Sequence, residues 1–370
     1  MNGYYVFYGT TSSGVLKKID MQVKELSKIA TVKVIKVNVC KERNNIGKVL
    51  SRLPWEPLGF DYAKVKEELV DPDFIYIRRT TVDCGFIAFY NSIKKEYPKC
   101  KIVVEFYTYP YDKDDYNRNI KHFIINCPFY LKDIIYRKKY KSCVDRIITY
   151  SKDVSLFGIK TICTTNGVDV DEQKPVTNTN DGTTINLISV AQMQEHHGYE
   201  RLISGLGKYY TAGGKRKIVY HAVGEGPELE HYKKLVKAYN LENNVVFYGK
   251  KFGNELDAIY DKADIAVASL GLYKYGIDVI STLKTCEYMA KGLPVISGCK
   301  ISLLEDVNPP YICEIENNAT PMDISKIIRF YDNLCDEVDQ KAVTLRIRKF
   351  AKENMDMPVV MQPILKYLCD

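Results

Sequence analysis

No apolar run in this sequence approaches the roughly 20 residues that a bilayer-spanning helix needs, which excludes a helical membrane span. The first residues, MNGYYVFYGTTSSG, carry neither a basic start nor a continuous apolar stretch, so they are not expected to be a secretory signal. The eleven cysteines include no C-x-x-C pair, and an odd count without a secretion signal predicts free thiols in a reducing compartment rather than a disulfide framework or a zinc site. Internal repeats and low-complexity tracts are absent too. No recognition helix, RNP-like stretch or zinc-finger spacing accompanies the net charge of +7, so nucleic acid is not expected as a partner.

What is present reads as a folded chain of two domains. A length of 370 residues exceeds one ordinary core, and two domains of about 150–200 residues each are the natural division. The charge is unevenly spread: residues 1–170 carry 29 Lys and Arg against 19 Asp and Glu, the remainder 24 against 27. The run YRKKYK, Tyr136 to Lys141, beside YLKDIIY, is expected to dock on an anionic membrane face, where each basic residue is worth about 1 kcal/mol. The plainer alternative is a solvated helix face.

Strand and helix patterns alternate. YYVFYG, VKVIKVNV, DFIYIRR and KIVVEF are strand-like; VLKKIDMQVKELSKIA repeats Val15, Ile19, Val23, Leu26 and Ile29 at helical spacing, and TTVDCGFIAFYNSIKKEYP supplies another helix. DRIITYS and IKTICTTNG close the first half. VDVDEQKPVTNTNDGTTIN, rich in Pro, Asn, Asp and Thr, predicts an interdomain linker. INLISVAQ, KIVYHAV, NNVVFYG and DIAVASL then alternate with helical stretches, which predicts an α/β fold of doubly wound parallel sheets with ligands outside the carboxyl ends of the strands.

Between Ile185 and Gly298 the pattern becomes specific. HHGYERLISGL, VGEGPE and CEYMAKGLPVI resemble the donor half of GT-B glycosyltransferases of the retaining family four. VVEFYTYPYDKD and ITYSKDVSLFGIKTICTTNGVDV resemble segments of capsular and exopolysaccharide glycosyltransferases in that family. The resemblance implies two doubly wound Rossmann-like domains facing across a cleft: an acceptor domain over 1–170, a linker over 171–184 and a nucleotide-sugar domain over 185–345. Residues 346–370 would cross back to the first domain. It further implies a cytoplasmic enzyme, peripheral on the inner face of the plasma membrane. That enzyme would transfer a hexose from a nucleotide sugar, UDP-linked, to a saccharide acceptor carried on a polyprenyl diphosphate. A sugar-nucleotide 2-epimerase of the same fold and a non-catalytic partner subunit are the alternatives.

Candidate residues follow from that comparison. Gly198, Gly224 and Gly226 stand where backbone N–H groups meet a diphosphate, although a lone G-x-G also fits an ordinary tight turn. Glu287 of CEYMA matches the glutamate that accepts hydrogen bonds from the ribose hydroxyls. Ser281, Thr282, Leu283 and Lys284 precede it and are expected at the phosphates. Two departures stand out: Val279 occupies the position of an earlier glutamate, and Gln192 and His197 replace a basic pair. Lys284 is the substitute cation. A diphosphate beside His197 would favour its charged form, so donor binding is expected to weaken as pH rises from about 6 to 8; the alternative is that His197 packs beneath Gly198.

In the first half, Gly9, Thr11, Ser12 and Ser13 of GTTSSG, with Tyr109 and Asp112, are acceptor candidates. Glu105 and Tyr107 are catalytic candidates, although tyrosines in such a string are as often packing residues. No catalytic base is assigned. Asp71 and Asp73, and Asp112 to Asp115, imitate metal-binding carboxylate pairs, but they lie away from the nucleotide segments and read as turn residues. No metal and no cofactor are expected.

Overall fold

The computed structural model describes residues 1–9, 13–39, 50–116, 120–177, 183–302, 307, 309–335 and 339–370, without the side chains at 13, 113 and 114. It divides into two compact units, Met1–Thr165 with Val360–Asp370, and Asn166–Val359.

The first unit is built on strands β1 (Asn2–Tyr8), β2 (Thr31–Val37), β3 (Phe74–Arg78), β4 (Lys101–Phe106), β5 (Arg146–Thr149), β6 (Ser155–Leu156) and β7 (Ile159–Cys163). They form one sheet in the order β2-β1-β3-β4-β5-β7-β6, parallel except for the β6–β7 pairing at the edge. Parallel strands covered on both faces read as continuous apolar runs rather than alternating ones, which is why YYVF, FIYI and IVV are buried throughout. Helices Ser13–Leu26 and Cys84–Glu96 are among the connections. Asp83 fixes the start of the second by accepting the Phe86 N–H at 2.7 Å. Helix Met357–Cys369 contributes its residues from Val360 onward to this unit. There Lys101 Nζ donates to the terminal carbonyls of Tyr367 (3.0 Å) and Leu368 (3.2 Å), a cation on the negative end of a helix.

The second unit contains β8 (Thr184–Val190), β9 (Lys217–Val223), β10 (Val245–Gly249), β11 (Ile265–Val267), β12 (Val279–Ile280), β13 (Val295–Ser297), β14 (Lys300–Ile301) and β15 (Ile312–Glu314). Six of these form a wholly parallel sheet, β10-β9-β8-β11-β13-β15, while β12 and β14 pair separately. Helices including Glu200–Thr211, Leu229–Ala238, Gly253–Tyr260 and Leu283–Ala290 connect the strands, burying Leu202, Tyr232, Ile259 and Met289.

Two boundary expectations are corrected. The described part of 171–184 is held in the second unit rather than linking two domains. Arg348 donates to the carbonyls of Val170 and Gln173, Val176 N–H to Lys291 O, and Thr177 N–H to Asp261. The segment passing to the first unit begins at Val360, because Gln340–Asn354 packs with Val343, Ile347 and Ala351 in the second unit's core. Among the described residues, no helix is long and apolar enough to cross a membrane, and every described cysteine is a free thiol.

Candidate functional site

The order of the second sheet reverses at β8: β9 and β10 continue to one side, β11, β13 and β15 to the other. The loops leaving the carboxyl ends of β8 and β11 flank this reversal, the place where open α/β sheets bind ligands. Here the two loops are tied together. Leu270 N–H donates to His197 O at 2.8 Å and Gly271 N–H to His196 O at 3.2 Å. Gly198 has φ +61, and a Cβ on it would lie 2.4 Å from Gly271 N, so both conformation and space demand glycine. Arg201, 3% exposed, locks the arrangement by donating to the carbonyls of Leu270, Glu316 and Thr320, each at 2.8 Å.

Two helices start at this point. Glu200–Thr211 follows Gly198, and Leu283–Ala290 begins behind Thr282, whose hydroxyl accepts the Thr285 N–H at 3.2 Å. A helical side chain leans toward its own N-terminus, so Lys284 reaches back across the helix start, with Nζ 3.4 Å from Tyr199 OH. Burial pushes the Lys284 ammonium down to about 7, against the opposing charge of Glu287 one turn later on the same helix. Glu287 is half-buried.

His197 is buried, and its Nδ1 accepts the Gln194 N–H at 2.9 Å, which leaves the proton of the neutral ring on Nε2. Its ring stacks on Tyr199 with centroids 5.5 Å apart. Burial, then Lys284, then His196 all lower its pKa, so the imidazole is neutral in the free protein. The structure therefore brings together Gly198, His197, Lys284, Glu287 and two helix starts, whose dipoles favour an anion.

Other expected residues stand differently. Gly224 and Gly226 are glycines because a neighbouring loop crowds them: a Cβ would lie 1.9 Å from Ala191 O at the first and 2.3 Å from Met193 O at the second. The Gly224 N–H already donates to Gly249 O at 2.7 Å, which corrects its assignment as a phosphate donor. Ser281 is committed to Asn166, its hydroxyl accepting the Asn166 N–H at 2.9 Å and its carbonyl the side-chain amide at 2.7 Å. Gln192 is exposed on the loop after β8, and Val279 lies in β12 opposite Lys300. Tyr199, which bridges His197 and Lys284, was not singled out from the sequence; its only signal was its place beside Gly198.

In the first unit, Glu105 has no exposed surface. Its carboxylate accepts from Lys18 Nζ (2.8 Å), Gln22 Nε2 (3.1 Å) and Tyr150 OH, with Arg78 at 3.5 Å. Burial alone would raise its pKa, but Lys18 and Arg78 outweigh burial and hold it at about 2. The catalytic assignment of Glu105 is corrected on this ground: a sealed, fully engaged carboxylate is a structural anchor. Tyr107 lies under the Arg78 guanidinium at 4.1 Å, and Tyr109 packs on Tyr111 and Phe157. Asp112 receives Arg137 at 2.8 Å, Asp115 pairs with Arg79, and Asp73 accepts the Asn2 N–H at 2.7 Å, so these carboxylates already have partners. Gly9 has φ +70 and donates to Val37 O. Thr11 and Ser12, and the side chain of Ser13, lie outside the described residues.

Residues 169–331 match the model of the family described as glycosyl transferases group 1. No curated protein matches the chain. Among solved structures, a glycosyltransferase from Rickettsia africae is similar over 99% of this chain and 97% of its own, with TM-score 0.64 and 16% identity. Anabaena HepE in complex with UDP is similar over 100% of both chains, with TM-score 0.65 and 13% identity. Sucrose-phosphate synthase from Thermosynechococcus elongatus covers 100% of this chain and 99% of its own, with TM-score 0.64 and 13% identity. The likeness shows the fold: GT-B, with two Rossmann-like α/β domains.

Proposed function

We propose that the chain is a retaining glycosyltransferase that moves a hexose from a UDP-sugar to a saccharide acceptor carried on a polyprenyl diphosphate, in capsule or exopolysaccharide assembly. One observation carries the reading. Lys284, His197 and two helix starts converge beside Glu287 where the order of the second sheet reverses, within the segment matched by the glycosyl transferases group 1 model. The Anabaena structures hold UDP and UDP-glucose, which supports a uridine donor here. Negative charge builds on the diphosphate as the glycosidic bond breaks, and fixed N–H dipoles with an ammonium stabilise that charge without reorganisation. His197 adds a neutral Nε2–H donor. Glu287 would hold the ribose hydroxyls. We take the transfer to be independent of metal, since in the runs that imitate a metal site Asp115 is engaged with Arg79, Asp112 with Arg137 and Asp73 with a backbone N–H. The reading places the chain in the cytoplasm.

UDP is expected to slow hydrogen exchange in 191–199 and 281–290. Protection confined to residues 1–165 would reverse the assignment. With a UDP-hexose, released or transferred sugar marks a transferase, an isomerised donor the epimerase, and binding without turnover a partner subunit.

Glu287→Ala is expected to weaken UDP binding by about 1.5–3 kcal/mol, roughly tenfold to a hundredfold, because the ribose loses a charged acceptor. Calorimetry decides this, and unchanged affinity in a folded variant removes Glu287 from the ribose.

A further inference from the structure

Helix Ile120–Arg137 has its polarity reversed. At about 100° per residue, Ile120, Ile124, Leu131, Ile134 and Ile135 fall on one stripe roughly 100° wide, a pattern that ordinarily faces a core. Here all five are exposed, Ile120 at 81% and Ile124 at 68%. Two charges of the same helix are inside instead, although Lys121 is exposed: Lys132 and Asp133 are buried, Lys132 donating to the carbonyls of Leu53 and Glu56, Asp133 accepting from Tyr111 OH at 2.8 Å. Water gains nothing from such a stripe.

The Lys132 bonds hold segment Leu53–Glu56 against the helix, and that segment presents Trp55, 65% exposed and the single tryptophan of the chain. The helix runs directly into Lys138, Lys139 and Lys141, all exposed. Arg137, expected from the sequence to belong with them, is occupied by Asp112 at 2.8 Å and Asp133 at 3.7 Å. From 120 to 142 the only acidic residue is the buried Asp133, so this stretch itself exposes apolar groups and lysines but no carboxylate.

We propose that Trp55, the outward stripe of helix Ile120–Arg137 and Lys138, Lys139 and Lys141 form a docking surface for an anionic lipid bilayer. Tryptophan and branched aliphatic side chains beside lysines match the boundary between acyl chains and headgroups, and the lysines complement anionic headgroups. A second copy of the chain fits less well, because a two-fold interface would join two identical patches, each bringing lysines and neither bringing an exposed carboxylate from 120 to 142. The surface is separate from the donor site, so its failure would leave the glycosyltransferase reading intact.

Trp55 is a built-in reporter. With the full chain and vesicles of phosphatidylglycerol and phosphatidylcholine, its emission is expected to shift to the blue and to be quenched by lipids brominated near the headgroup, with no change on pure phosphatidylcholine. Replacing Lys138, Lys139 and Lys141 by glutamine should weaken vesicle partition about a hundredfold at low salt, and high salt should act likewise on the parent. Ile124→Ser with Ile134→Ser and Ile135→Ser should abolish the shift at any salt. These side chains are exposed, so an unchanged melting curve and retained UDP binding will show both variants folded. Unshifted emission with no co-sedimentation overturns the proposal. So does a concentration-dependent dimer that the serine variant disperses while lipid binding is absent, which assigns the surface to a second copy.

Discussion

Glu105→Gln is expected to destabilise the first unit by about 3–5 kcal/mol, the cost of leaving buried charges without their partner. Lys18 is 2% exposed and its ammonium is turned to Glu105 and Tyr150; Arg78 completes the pair from the neighbouring strand β3. A neutral amide cannot balance two cations. Removing one cation as well, in Glu105→Gln with Lys18→Met, should recover part of the loss. Because the folded carboxyl sits at about 2, below its ordinary 4.5, its stabilisation is complete above pH 4.5 and disappears as pH falls through about 2. Denaturant unfolding across that range therefore measures the anchor in the parent protein, and the glutamine variant should lack that part of the acid dependence. UDP binding by the second unit should survive the substitution. An undiminished melting temperature together with lost transfer would restore Glu105 to catalysis.

That anchor shows where sequence reading stops. Strands β1, β3, β4 and β8 to β11 were legible because parallel strands under helices are continuous apolar runs, and the helix starts after β8 and β11 were legible from glycine and threonine. The partners of a residue are not carried by such patterns. Glu105 is the last residue but one of an apolar strand, and no local signal says that Lys18 and Gln22, one helical turn apart, face inward to meet it. Gly224 and Gly226 look like a phosphate loop, yet the carbonyls of Ala191 and Met193, together with a φ of +119 at Gly224, already demand glycine there. The stripe of helix Ile120–Arg137 has the period of a core helix, and only the buried Lys132 and Asp133 reveal that it faces outward. The charge state of the donor site was equally hidden, since it depends on burial that the sequence does not record.

UDP binding is accordingly expected to take up its proton at Lys284 rather than at His197. Burial holds the free ammonium at about 7, so at pH 8 the side chain is mostly neutral. A diphosphate favours the charged form and raises its pKa, so affinity should be greatest near and below pH 7. Above that it should fall by up to about tenfold per pH unit until the bound-state pKa is passed. Lys284→Arg should flatten this dependence by fixing the charge. Lys284→Met should flatten it at an affinity about 2–5 kcal/mol weaker at pH 7, thirtyfold or more, since a covered phosphate would lose its cation. His197→Gln should leave the pH dependence in place. Its Nδ1 is engaged by the Gln194 N–H, and burial, Lys284 and His196 all lower its pKa, so the imidazole has no proton to gain over this range. Calorimetry of UDP binding in two buffers of different ionisation enthalpy measures the uptake directly. Uptake that persists in Lys284→Met and vanishes in His197→Gln would return the role to the imidazole.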